Sequence, residues 1–380
     1  MGMLTTRARM KRIEVAMNGL FCERSAPIRG LMVASVARAN VFLLGPPGTA
    51  KTALVDTFAS CIRHDDGEPA RIFSRLIGRT TGIDELMGPV DMSSYREQGI
   101  WRRNVDRSLV DCDVAVLDEI FKGSSAILNG LLGVLNERRF QNGPDAIDCP
   151  MRLCVGMSNE IPQCDSLGAL FDRFPLRYYV DHVSDRDEVA KIAFGSTVSP
   201  SSRIASIPDA TVTPSELSEA CVAASLVTIP ESVQSQMMSV REDLAGSGVS
   251  ISVRRLKTSA SMVRAHAWLL GRDIAASEDV SILRDVFWDT PKDIDKVQRS
   301  VDQYAPIKDE AQASSAIDIF SASAALTDAS FDRTTIIGLI DRGREIDAML
   351  SAMPYTRARH DMSERLESSM VRLRGFVFLK

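Results

Sequence analysis

A chain of 380 residues, 45% hydrophobic and 25% charged, has the length for two or three domains and the composition of an ordinary globular protein. Its formal net charge of −5 argues against wholesale coating of nucleic acid or anionic membrane, while allowing a local basic patch. No apolar run approaches the roughly 20 residues of a membrane helix, and the basic N-terminus lacks a signal-peptide core. The seven cysteines form no CxxC pair, which suits thiols packed in a reducing, cytoplasmic setting, and the four scattered histidines suggest no zinc site.

Residues 4–18 read as an amphipathic helix, with Leu4, Ile13, Val15 and Met17 set among charges. A second helix begins at Ser25-Ala26-Pro27-Ile28, where Pro27 suits a first turn, and runs to about Ala39. The apolar run Val41-Phe42-Leu43-Leu44 reads as a buried strand. It leads into Gly45-Pro46-Pro47-Gly48-Thr49-Ala50-Lys51-Thr52-Ala53, a glycine-rich turn that opens a helix over about 51–63. That geometry binds nucleotide phosphates: backbone N–H groups line the turn, and the helix N-terminus adds its positive dipole. Lys51 reaches the β- and γ-phosphates, and the Thr52 hydroxyl can ligate Mg²⁺. Ala50 stands where a second glycine is usual, and its methyl is tolerable if φ is negative at the helix start. The chain ahead of such a strand often covers the adenine. Phe21 and Ile28 are therefore candidate base contacts, with plain helix packing the competing reading for each.

A second strand is expected near 71–76. Residues 88–105, with Tyr95 and Trp101-Arg102-Arg103, read as a loop or hairpin among helices. Val114-Ala115-Val116-Leu117 then delivers Asp118-Glu119. Such a strand carries one carboxylate, Asp118, to the Mg²⁺ shell and the other, Glu119, to the water that attacks the γ-phosphate. Its spacing from the glycine-rich turn, and the helix over 125–136 behind it, fit a nucleotide site. Arg138 to Gly143 reads as a hairpin with Asn-Gly at its turn. A strand over 152–157 delivers Asn159, whose amide can orient the lytic water. Leu170 to Phe174 ends a short helix before a strand over 176–180.

Taken together, GLFCERSAPIR, VFLLGPPGTAKT, ELMGPV, VAVLDEIFKGSSAILNGLLGVLNERRFQNG, MRLCVGMSNEIP and LGALFDRF resemble the AAA+ ATPases of the MoxR family, and most closely its RavA branch. The resemblance covers roughly residues 10–300. It implies an α/β fold: a P-loop AAA+ core with a parallel sheet between helices (1–184), a helical lid (185–305) and a C-terminal helical segment (306–380). It assigns Lys51 and Thr52 to Walker A, Asp118 and Glu119 to Walker B, Asn159 to sensor 1 and Arg173 to the arginine finger. A finger that enters a neighbour's site implies a homo-oligomeric ring, usually a hexamer. Ser252-Val253-Arg254-Arg255 resembles the sensor 2 element. Arg254 is favoured by the Ser-x-Arg spacing, and Arg255 competes with it. The segments 88–103 and 137–150 fit the family's core insert and hairpin, so Tyr95, Trp101, Arg102 and Arg103 are candidate client contacts.

The activity implied is Mg²⁺-dependent hydrolysis of ATP that drives the remodelling of a protein client, typically with a von Willebrand factor A-domain partner. Two rivals remain. One is a nucleic-acid-translocating ring that contacts phosphates through Arg102, Arg103, Arg138 and Arg139, disfavoured by the acidic balance. The other is a nucleotide-gated scaffold, disfavoured by the presence of both Asp118 and Glu119. Past 305 three helices are expected over 308–327, 331–350 and 358–376. Ile336, Ile337, Ile340, Ile346 and Leu350 should form the core face of the second.

Overall fold

The computed structural model describes residues 5–161, 170–194, 199–205, 207, 209–305, 316–317, 320–321, 323–324, 333–352 and 357–378. The chain divides into two compact units, Met1–Ser300 and Val301–Lys380. The first begins with α1 (Thr6–Asn18) and α2 (Ser25–Ala37), followed by β1 (Asn40–Leu44), α3 (Lys51–Ser60) and β2 (Ile72–Leu76). Next come α4 (Ile83–Met87), α5 (Met92–Gln98), β3 (Val114–Asp118) and α6 (Ser125–Glu137). The hairpin β4 (Arg139–Asn142) and β5 (Asp145–Asp148) precedes β6 (Leu153–Ser158) and β7 (Leu176–Tyr179).

Five strands make one parallel sheet in the order β2-β3-β6-β1-β7. Every residue of β1 and β6 is buried, as expected of parallel strands covered by helices on both faces. α2 covers β1 on one side and packs on its other side against the helix Val253–Leu269. It is therefore apolar nearly all round, from Pro27 to Val36. Within this layer Leu44 pairs with both Ser158 and Tyr179, so the carboxyl ends of β6, β1 and β7 converge. The chain leaves β1 there and crosses to β2 at the far edge. In open α/β sheets the crevice at such a reversal is where ligands bind.

One buried contact is sensitive to pH. The Tyr178 ring packs so closely on α2 that a β-carbon at Gly30 would stand 2.2 Å from its hydroxyl. Beside that hydroxyl lies Asp285, whose carboxyl is pushed up to about 7 by burial, with Tyr178 and Arg284 pulling the other way. The unfolded carboxyl titrates near 3.9, so the folded protein holds the extra proton between about pH 4 and 7. Stability contributed by this group therefore falls as pH rises through that window, by up to about 1.4 kcal/mol per unit. Asp285→Asn should melt above the wild type at pH 8, and the gap should narrow as pH falls and close only by about pH 4. Thermal melts across pH check this.

Two local expectations are corrected. The segment read as a loop or hairpin contains α5, seven residues capped by the Asp91 carboxylate on the N–H groups of Ser93 and Ser94. The segment's two ends still close on each other through a Val90–Arg103 bridge. In the second unit the helices Arg333–Ala352 and Arg357–Phe378 bury Ile336, Ile340, Ile346 and Leu350 with Met362, Leu366, Met370 and Leu373. Ile337 instead lies 44% exposed, one position off the stripe. The expected helix over 308–327 and the breaks near 327 and 354 lie largely or wholly outside the described residues.

Candidate functional site

The turn after β1 is fixed at both ends. Gly45 donates its N–H to Ser158 O at 3.2 Å, and a β-carbon there would meet Val180 O at 2.0 Å. Only glycine fits between the ends of β6 and β7. Gly48 has φ +81° with open space where a β-carbon would stand, which leaves its backbone approachable. Ala50 corrects the expectation of a negative φ: it sits in the left-handed region at φ 62°, ψ 24°. A side chain costs about 1 kcal/mol in that conformation. Ala50→Gly should therefore gain about 0.5 kcal/mol after glycine's added unfolded-state entropy. A denaturant midpoint measures it.

Lys51, 8% exposed, arches back over this turn. Its ammonium donates to Gly45 O (2.7 Å), Pro46 O (2.8 Å), Thr49 Oγ1 (3.4 Å) and Asn159 Oδ1 (3.3 Å). Burial lowers its affinity for the proton, while Asp118 and Glu119 oppose that shift. Thr52 is exposed at the second residue of α3, and Ala53 follows half-buried.

β3 ends in the paired carboxylates. Asp118 Oδ1 accepts the Glu119 N–H at 2.9 Å, and Glu119 itself is left-handed at φ 51°, which turns its side chain off the strand axis. Glu119 Oε1 accepts from Asn159 Nδ2 at 2.8 Å and pairs with Lys122 at 3.3 Å. Its other oxygen, Oε2, is buried without a hydrogen-bond partner. One side-chain amide thus links the P-loop lysine to the second carboxylate. Hard oxygen donors (the Thr52 hydroxyl and the Asp118 carboxylate) beside a lone buried carboxylate oxygen suit Mg²⁺ and an activated water.

Phe21 is 8% exposed ahead of α2, and Ile28 is fully buried within α2. Two residues that the pattern gave no reason to choose stand between them and the P-loop. Glu23, with φ 55°, and Arg24, 6% exposed, form a turn whose side chains reach Thr49 and the segment 181–185. Both lie inside the string GLFCERSAPIR, but nothing in that string gives them a role, because their partners are mostly backbone groups far along the chain.

Arg254 lies close enough to Arg173 for its charge to be felt there. The Arg173 guanidinium is held below its usual range by burial and then by Arg254, with Asp172 opposing, and its Nε is buried without a partner. Arg254 donates to Asn136 Oδ1 at 2.6 Å, near the end of α6. Arg255, the competitor for the sensor 2 role, is engaged elsewhere, on Trp288 O (3.1 Å) and Asp289 (2.9 Å). Ser252 caps the helix carrying both, accepting the Arg255 N–H at 3.1 Å.

The insert and the hairpin are joined. Asn142 Oδ1 accepts the Arg103 N–H at 2.7 Å while Asn142 Nδ2 donates to Arg103 O at 3.0 Å, and Arg102 pairs with Asp145 at 2.5 Å. Above this junction Tyr95 and Trp101, 47% and 57% exposed, meet edge to face at 5.6 Å. The arginines proposed for nucleic-acid phosphates are committed within the chain. Arg103 pairs with Asp84 and Arg139 with Asp148, while Arg138 is buried against Asn40 and Met151.

Comparison with known proteins bears on the family and the fold. A family model described as the MoxR domain of MoxR–vWA–β-propeller ternary systems matches residues 8–217, and an AAA lid domain model matches residues 232–301. Two uncharacterized proteins of Methanocaldococcus jannaschii are similar. One is 32% identical over 287 residues, 75% of this chain and 72% of that protein. The other is 30% identical over 288 residues, 76% and 74% of the two chains. Among solved structures, a candidate ATPase from Cytophaga hutchinsonii matches with a TM-score of 0.59. It is 17% identical and covers 77% of this chain and 94% of its own, so it shares the fold. With the MoxR model spanning more than half of the chain, and the P-loop and carboxylate strand lying within it, this protein belongs to the MoxR family of AAA+ ATPases.

Proposed function

We propose that this chain is the motor subunit of a ring, of the RavA-like kind and usually hexameric, that hydrolyses Mg²⁺-ATP in the cytoplasm to remodel or activate a protein client. The observation that carries the reading is the amide bridge, in which Asn159 holds Lys51 by one atom and Glu119 by the other. Lys51 moves from the carbonyls of Gly45 and Pro46 to phosphate oxygens, and the turn from Gly45 to Ala53 supplies N–H donors to the same phosphates. Phe21 covers the base, with Ile28 in the core behind it. Thr52 and Asp118 would hold Mg²⁺, which would supply positive charge to neutralise the nucleotide's phosphates. Glu119 takes the proton of the attacking water on Oε2, while Oε1 stays fixed by Asn159.

Arg173 serves the neighbouring subunit. Two guanidiniums brought together repel each other, and a polyphosphate presented from outside relieves that repulsion. Arg254, on the same side as Arg173, acts with it. Tyr95 and Trp101 supply the client contact, and the family description supports a partner carrying a vWA domain, alongside a β-propeller protein. Among the described residues no helix is long and apolar enough to cross a membrane. The ion-paired arginines of the insert and hairpin favour a protein client over nucleic acid. Phosphate release from ATP by the purified protein, together with its mass in solution with and without ATP, tests the reading. A monomer that releases no phosphate with ATP and Mg²⁺ would overturn it.

A further inference from the structure

Glu23 and Arg24 have no part in the hydrolytic chemistry above, yet their side chains connect three separate pieces of backbone. Arg24 is buried, and its hydrogen bonds go to carbonyls: Glu23 O at 3.0 Å, Asp181 O at 2.5 Å and Thr49 O at 3.5 Å. Thr49 lies within the P-loop, two residues before Lys51, and its hydroxyl is itself tied to Pro46 O at 3.0 Å. Asp181 belongs to the segment that leaves β7. That segment starts against the P-loop, since Val180 N–H donates to Leu44 O at 2.7 Å and Val180 O sits over Gly45.

Glu23 holds the far end of the same segment. Its carboxylate accepts from the Ser184 N–H (3.1 Å), the Ser184 hydroxyl (2.9 Å) and the Asp185 N–H (3.0 Å). Ser184 and Asp185 lead directly into the helix Arg186–Phe194, so the carboxylate stands beside that helix's positive end. Glu23 adopts φ 55°, a costly conformation for a non-glycine residue, and that turn lets consecutive side chains reach both places.

Arg24 also has an electrostatic effect on the site. Burying a guanidinium without a hydrogen-bonded carboxylate costs several kcal/mol. Its positive charge is felt at Lys51. A polyphosphate on the adjacent P-loop is the anion that offsets both cations.

We infer that the Glu23-Arg24 turn is a clasp that sets nucleotide affinity: it locks the P-loop, at Thr49, to the segment 181–185 on which the following helix starts. The pair are positioning residues, and they act on binding rather than on the hydrolytic step. The inference rests on the P-loop being the ATP site.

The test measures ADP affinity by equilibrium titration, and kcat and KM for ATP, in wild type, Glu23→Ala, Arg24→Met and Arg24→Lys. Glu23→Ala and Arg24→Met should weaken ADP binding and raise KM by about tenfold or more, with kcat at saturating ATP within about threefold. Arg24→Lys keeps the charge but loses the two-carbonyl fork, so it should bind as weakly as Arg24→Met. Full recovery by lysine would overturn the clasp in favour of charge alone. Unchanged affinity in Glu23→Ala, or a fall in kcat at unchanged KM, would also overturn it. If the buried Arg24 variants fail to fold, Glu23→Ala and Ser184→Ala, both at half-buried or exposed positions, carry the same affinity test. Wild type that binds no ADP would instead remove the ATP-site reading itself.

Discussion

Replacing Glu119 with Gln is expected to cut steady-state phosphate release by about 10²- to 10⁴-fold, while ATP affinity stays within a few-fold. Glutamine keeps the shape and retains an oxygen to accept from Asn159 Nδ2, so the bridge to Lys51 survives. What disappears is the second carboxylate oxygen, the buried Oε2 that has no hydrogen-bond partner. The variant should therefore bind ATP, hold the ring together and trap client. Phosphate release and nucleotide titration on the same preparation separate the two effects. Turnover equal to wild type would mean that Glu119 is not the base.

Arg173→Ala should lower turnover by about 10³-fold or more, again without loss of ATP binding, because the role proposed for the missing group is in another subunit's site. The stronger test mixes two inactive variants. In a ring containing Arg173→Ala and Glu119→Gln subunits, some interfaces join an intact base to an intact finger. Such mixtures should recover turnover that neither variant shows alone. Co-assembled rings that stay inactive would place Arg173 within its own subunit's chemistry. Truncating Arg173 also relieves the repulsion with Arg254, so folding stability should hold or rise slightly.

The legibility of this molecule in its sequence follows the range of the interactions involved. β1 with the P-loop, and β3 with its two carboxylates, are local patterns: an apolar run followed at once by the chemistry it presents. The interpretation of Asn159 depends on its place at the tip of a strand, and the structure brings it between Lys51 and Glu119. Conformation was harder to read than identity. Ala50 carries no mark of its left-handed backbone, since the constraint comes from the turn closing onto α3. α5 escaped notice because its seven residues include two serines and end at a glycine, signals that equally describe a loop. Arg24 and Glu23 were beyond reach for another reason. Apart from the Glu23 carbonyl, their partners lie 25 to 162 positions away and are mostly main-chain atoms, which any residue type supplies.

The junction between insert and hairpin makes α6 a lever. Its 13 residues begin just beyond the turn Ile120–Lys122 that follows Glu119, and they end at Glu137, with Arg138 as the single residue before β4. That is a rod about 20 Å long. A tilt of about 10° at its fulcrum would swing the hairpin by roughly 3 Å over that length. Because Asn142 and Asp145 grip Arg103 and Arg102, Tyr95 and Trp101 travel with the hairpin. On the proposed reading, the stroke delivered to a client is geared by the length of a single helix, and changing that helix by one turn should alter the size of the step while leaving the fuel chemistry in place.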